Sequence, residues 1–244
     1  MKRFWDTATI SPADGGYAIL LDGRPMRLPA GPELRVHAEP LARAIAAEWQ
    51  TAGDQKGGEM SFADTPLTRL AGTLQERIAP DPAPVVAALA RYAENDMLCY
   101  RAERPESLVH RQARAWQPWL DWAALTYDAP LKITAGVTHV RQDPLAVAAL
   151  RRAVERLDAA ALAALGIAVP ALGSLVLGLA LAEGKLDATE AFALGSLEEL
   201  YEVDQWGEDP EAAARRKGIA DDIALAARFI ALTREQGQVP EAKN

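Results

Sequence analysis

The chain has 244 residues, half of them hydrophobic and a quarter charged, enough for one large or two small domains with a full apolar core. Its net charge of −8 and pI near 5.0 argue against nucleic acid or anionic lipid as the main partner, because either demands a basic face. The single cysteine, Cys99, excludes an intrachain disulfide and any multi-cysteine metal site, and fits a reducing compartment.

The first ten residues, MKRFWDTATI, hold neither a long apolar signal core nor an Arg/Ser-rich transit stretch, so a cytoplasmic location is expected. Residues 1 to about 37 read as β structure. Tyr17 to Leu21 and Arg24 to Leu28 flank Asp22-Gly23, a strong hairpin signal because glycine accepts the positive φ of a type I′ turn. Pro25 marks the return arm as an edge strand. From Glu39 the period becomes helical: Pro40 suits a first-turn position, Leu41, Ile45 and Trp49 repeat every four residues, and Gly53 is a stop. A second helix is predicted from Thr65-Pro66 to Ile78, with Leu67, Leu70 and Leu74 on one face.

Beyond Pro84 the composition is helical. The predicted helices are 83–95, 106–126, 143–157, 158–165, 171–184, 187–206 and 210–236, several opened by an Asp or Arg followed by proline. The segment 130–140 reads as an extended excursion or a long loop, and the polar C-terminus as frayed. The longest apolar run, Ala171 to Ala182, is shorter than the roughly 20 residues a membrane span needs and reads as a buried helix. The expected fold class is therefore α+β, a small β-rich N-terminal domain (1–80, with one or two helices) followed by a larger all-α domain (81–244).

Chemical motifs are sparse. No nucleophile elbow, phosphate-binding loop, dinucleotide fingerprint or zinc-protease motif occurs, and His37, His110 and His139 have no ligand-type neighbours at metal-binding spacing. No cofactor and no metal are expected. Cys99, among Met97, Leu98 and Tyr100, reads as a buried structural thiol. Trp116, Trp119 and Trp122 fall every third position on one helix, which predicts core packing for at least two of them.

The stretch LEELYEVDQWGEDPEA, from Leu197 to Ala212, stands apart. It carries seven carboxylates and no basic residue. Leu194, Leu197, Leu200 and Tyr201 form a predicted buried stripe, which leaves Glu198, Glu199 and Glu202 together opposite it, repelling by a few tenths of a kcal/mol per pair. Gly207 ends one helix and Asp209-Pro210 opens the next, so Glu208, Asp209 and Glu211 gain from the positive end of that helix. The calcium-loop spacing is missing, and the upstream glutamates and Trp206 remain as a surface to hold another molecule.

Several stretches carry a family resemblance: RFW (Arg3 to Trp5), LDGRP (Leu21 to Pro25) with PAG (Pro29 to Gly31), AAEWQ (Ala46 to Gln50) and TPLTRLA (Thr65 to Ala71). They continue in order with NDMLCYRAERP (Asn95 to Pro105), WQPWLDW (Trp116 to Trp122) and LEELYEVDQWGED (Leu197 to Asp209). The ordered set resembles the Atp12 family of assembly chaperones for the F1 sector of ATP synthase. That resemblance implies a β-rich part followed by a helical part and no catalytic activity. It implies binding of the free F1 α subunit, protection of that subunit from aggregation, and its release to the β subunit. It also places the functional acid at Glu208 or Asp209 and matches the EWQ tryptophan to Trp49; the residue pattern of the acidic segment adds Trp206, Glu202 and Glu199 as partner-binding residues. The leaderless start implies a bacterial, cytoplasmic member. Two other classes compete: a carboxylate-dependent hydrolase using Glu208 and Asp209 as acid and base, and a scaffold for another complex.

Overall fold

In the computed structural model, residues 1–136 and 138–234 are described. They divide into two compact units, one holding Met1–Asp81 and the described chain from Arg228, the other Pro82–Ala227. The α+β expectation holds: a small sheet region comes first and helices follow.

In the first unit, strands β1 (Ala8–Ala13) and β2 (Gly16–Leu21) pair antiparallel from Ala8↔Leu21 to Ala13↔Gly16. The short strands β3 (Arg24–Pro25) and β4 (Arg35–Val36) both pair with β2. Asp22 and Gly23, at φ 48° and 76°, make the predicted tight turn. Helix α1 (Glu39–Thr51) lies on β1 and β2 and buries Leu41, Ile45 and Trp49, the periodic face seen in the sequence. Helix α2 (Pro66–Thr73) continues through a π turn at Leu74–Ile78, and Leu74 is only half-buried.

Two tryptophans and an arginine tie these pieces together. The Trp5 indole N–H donates to the Trp49 carbonyl (2.9 Å), and the Trp49 indole donates to Thr68 Oγ1 (2.8 Å). Glu48 accepts from the amides of Leu67 (2.8 Å) and Thr68 (3.2 Å), so a carboxylate of α1 caps α2; burial raises its pKa while those amides pull it down. Arg3 is 4% exposed and donates to five carbonyl oxygens, those of Trp5, Asp6, Gln50, Ala52 and Asp54.

The second unit contains α3 (Ala83–Ala90), α4 (Glu106–Tyr127), α5 (Pro144–Glu155), α6 (Ala159–Leu172), α7 (Leu175–Ala182), α8 (Ala188–Gly195) and α9 (Leu197–Trp206). It also holds α10 (Pro210–Arg234) as far as Ala227. Within the 130–140 excursion, β6 (Thr134–Ala135) pairs parallel with β5 (Tyr100–Arg101). Every residue of α7 is buried, and α4, α6 and α8 pack on it. A Cβ on Gly178 would stand 2.4 Å from Val169 Cγ2, so only glycine allows α6 and α7 this approach.

The predicted boundaries at 165 and 171 are wrong. Helix α6 runs to Leu172 with Pro170 inside it, and the apolar run is interrupted at Gly173 (φ 65°) and Ser174 before α7 begins. The break is local chemistry: glycine takes the left-handed cap, and Ser174 Oγ accepts from the Leu177 amide (3.1 Å). Deeper still, Asp96 is fully buried and accepts from the amides of Leu98 (3.1 Å) and Val176 (3.0 Å). The predicted single helix 187–206 is also two. It breaks at Ser196, where Gly195 passes so close to α6 that a Cβ would meet Leu172 Cδ2 at 2.9 Å. The bend lets α8 pack on α6 while α9 packs on α4.

Candidate functional site

Helix α9 is held from α4 by three side-chain links, and a fourth holds the end of α8. The Trp116 indole donates to the Leu194 carbonyl just before the bend (3.0 Å), and Ser107 Oγ and the Tyr201 hydroxyl share a hydrogen bond of 2.5 Å. The buried Gln112 donates its amide to Glu198 (2.5 Å) and accepts the Ala102 amide (2.8 Å). Arg111 reaches Asp204 (2.6 Å) and covers the Tyr201 ring at 5.9 Å. Of the predicted buried stripe, Leu197 and Tyr201 are buried, whereas Leu194 and Leu200 are half-buried.

The acidic excess has partners that the local sequence conceals. Glu199 lies 2.9 Å from Arg215 and 3.8 Å from Arg216 of α10. Glu208 accepts from the buried Arg216 (2.8 Å). Of the predicted glutamate face only Glu199 meets cations; Glu198 is held by the neutral Gln112 and Glu202 stays unpaired among the described residues, while Asp204 and Glu208 find theirs on α4 and α10, in sequence before and after the acids. Glu198 keeps a raised pKa, chiefly because it is desolvated and secondarily because Glu202 is close, with the Gln112 amide opposing both.

Three acids and the tryptophan of the segment stay outward and unpaired. Glu202, Asp209 and Glu211 are exposed and carry no side-chain partner among the described residues, and Trp206 is 78% exposed. Glu202 and Trp206 sit one turn apart on α9, so they share a face. Gly207 (φ 88°, ψ 177°) then turns the chain in a conformation that side chains avoid, and Asp209 begins α10 with its carbonyl accepting the Ala213 amide (2.9 Å). The joint thus presents an indole and three free carboxylates, Glu202, Asp209 and Glu211, on a frame built from the other four acids.

Other sequence candidates resolve differently. Trp116 is fully buried, but Trp119 and Trp122 are half-buried and meet edge to face at 6.1 Å. Only one of the three belongs to the core, because α4 turns its far end outward, with Leu125 88% exposed. Cys99 is buried, and desolvation pushes its thiol up to about 12, as expected of a structural thiol. Among the described residues, no group of three or more His, Cys, Asp or Glu is placed to hold a metal ion, and no helix is long and apolar enough to cross a membrane.

The chain was compared with known proteins. The model of the ATP12 chaperone protein family matches residues 2–124. The mitochondrial protein atp12 of Schizosaccharomyces pombe is 24% identical over 218 residues, covering 84% of this chain and 74% of its own length. The crystal structure of Atp12 from Paracoccus denitrificans is 42% identical, covers 96% of this chain and 98% of its own, and superposes with a TM-score of 0.87. An aspartate-to-lysine mutant of that protein gives the same figures. A protein of Agrobacterium tumefaciens follows at 37% identity and a TM-score of 0.85, covering 94% of this chain and 84% of its own. The order of the landmarks, the fold and these likenesses agree: the chain belongs to the ATP12 chaperone family.

Proposed function

We propose that this protein is a non-enzymatic, bacterial cytoplasmic chaperone of ATP synthase assembly. It binds the free F1 α subunit, keeps it from aggregating, and hands it to the β subunit. Family membership supports the chaperone role. The observation that carries the contact site is the exposed triad of Glu202, Trp206 and Asp209 on a neutralised frame. Unpaired carboxylates around an exposed indole suit a partner surface that is apolar with a basic edge. Glu199 and Glu208 belong to the same site but act mainly by fixing α9 to α10, since their charges are already engaged. Asp209, rather than Glu208, is the acid that meets the partner.

The hydrolase reading loses support from the same geometry. Glu208 is held by Arg216 and Asp209 stands in solvent, whereas an acid–base pair needs desolvated groups converging on a substrate.

The test is co-purification with F1 α, with and without added β. Asp209→Lys and Trp206→Ala are expected to weaken α binding tenfold or more, about 1.4 kcal/mol or above, with thermal stability unchanged. Glu208→Lys is expected to lower thermal stability as well, because it sets a second cation against buried Arg216. Asp209→Lys binding α as tightly as the unmodified protein would defeat the assignment, and failure of the unmodified protein to bind α would defeat the function.

A further inference from the structure

We infer that the groove between α3 and α5 is a docking site for an acidic segment of a partner polypeptide. It shares no residue with the α9–α10 joint and has the opposite charge. Its volume is about 460 Å³. One wall is Ala87 and Ala90 of α3 with Arg91 and Glu94 of the 3-10 turn that continues it (Arg91–Glu94), and the other is Pro144, Val147, Ala148 and Arg151 on α5. Both sets follow the i, i+3, i+4, i+7 spacing, so each wall extends for roughly 10 Å.

The charges lie along this length rather than at one point. On the α5 side, Arg141 and His139 precede the helix, Arg151 closes the wall two turns later, and the small apolar side chains lie between. Arg91 adds a third guanidinium from the 3-10 turn after α3, and Glu94 is the one carboxylate in the lining. Arg91 and Arg141 are exposed and have no ion pair or hydrogen bond among the described residues. Arg151 is bonded to Glu155 on its own helix (3.0 Å), an exposed pair of the kind that contributes only a few tenths of a kcal/mol and exchanges readily. Clustered unpaired arginines in a chain of net charge −8 are otherwise unexplained.

Guanidinium forks match carboxylates in two-point fashion. A compact anion would engage one end only. Two carboxylates about 10 Å apart, with small apolar side chains between them, would engage both ends and fill the floor, as an amphipathic helix does in a groove. The joint and the groove would then select partners of opposite local charge.

The probe is a labelled alanine-rich helical peptide with two glutamates seven positions apart, followed by fluorescence anisotropy against the full chain. Binding is expected, with at least a tenfold loss in the Arg91→Glu/Arg141→Glu double variant and a further loss as salt is raised. Neither arginine holds the fold, so circular dichroism should be unchanged; Arg91→Gln/Arg141→Gln gives the same reading if the reversal variant misfolds. Equal binding of the matched glutamine peptide, or of the double variant, overturns the assignment. Displacement of the peptide by equimolar inorganic phosphate also overturns it, and indicates a compact-anion site instead.

Discussion

Replacing Arg3 by alanine is expected to lower the free energy of unfolding by about 3–5 kcal/mol, the range for orphaning a buried network. Among the described residues Arg3 meets no carboxylate. Its guanidinium is neutralised by carbonyl dipoles, three of them (Gln50, Ala52 and Asp54) at or just past the end of α1, where the helix dipole is negative. The other two, Trp5 and Asp6, belong to the segment leading into β1. One planar cation therefore fixes the entry to the sheet against the exit of the helix. Removing it leaves the buried carbonyls of Trp5 and Ala52 without their donor and frees the three part-buried ones at the rim. Arg3→Lys should recover only part of the loss, since an ammonium offers three donors from one point. Urea unfolding followed by tryptophan fluorescence reads this directly, because Arg3 also lies 5.5 Å from the Trp5 ring. An Arg3→Ala midpoint equal to that of the unmodified protein would remove Arg3 from this role.

The elements readable from sequence are those whose signal is local. Asp22-Gly23 specifies its turn by backbone conformation alone, and Leu41, Ile45 and Trp49 specify the buried face of α1 by spacing. The chain was harder to read where every residue is apolar. In α7 the periodicity vanishes because all sides are buried, and in α6 because even the exposed positions Gly166 and Pro170 carry no polar side chain, so only Gly173-Ser174 marks the break, and glycine is common within this apolar stretch. The bend at Ser196 has a tertiary cause, the close passage of Gly195 over Leu172, which no local pattern reports.

The joint at Trp206 was partly legible for the same reason. Exposure of the indole and the start of α10 follow from Gly207 and Asp209-Pro210. The neutralisation of Glu199, Asp204 and Glu208 depends on Arg111, Arg215 and Arg216, which reach them only through the fold. Counting acids therefore overstated the free charge, and the structure separates acids that build the frame from acids that face out. The roles of Arg3 and Asp96 are carried by tertiary contacts, although each is an ionic group in an apolar neighbourhood of the sequence. The signal for Asp96 was available: a wholly apolar helix must find acceptors for its first amides somewhere, and a lone aspartate before Met97-Leu98-Cys99 is such an acceptor.

Asp96→Ala is expected to be the most damaging change in the helical unit, by about 3 kcal/mol or more, since several buried amides lose their acceptor together. The carboxylate caps two elements at once, the 3-10 turn at Met97–Cys99 and the N-terminus of α7, and Ser174 and Leu175 also hydrogen-bond to it. Yet its position carries a penalty, because complete burial pushes its pKa up to about 6 against these hydrogen bonds. Between about 4 and 6 the folded chain therefore holds a proton that the unfolded chain has released. Stability contributed at this site falls as pH rises through that window, and the full penalty applies above about 6. Two pKa units correspond to roughly 3 kcal/mol across the whole window. The difference in unfolding free energy between the unmodified protein and Asp96→Ala should accordingly widen as pH is lowered from 7 to 4.5, measured by urea titration at each pH. Parallel pH profiles for the two proteins would show that Asp96 does not titrate in the folded state over this range, and its carboxylate would then have to be stabilised by more than the four groups that surround it.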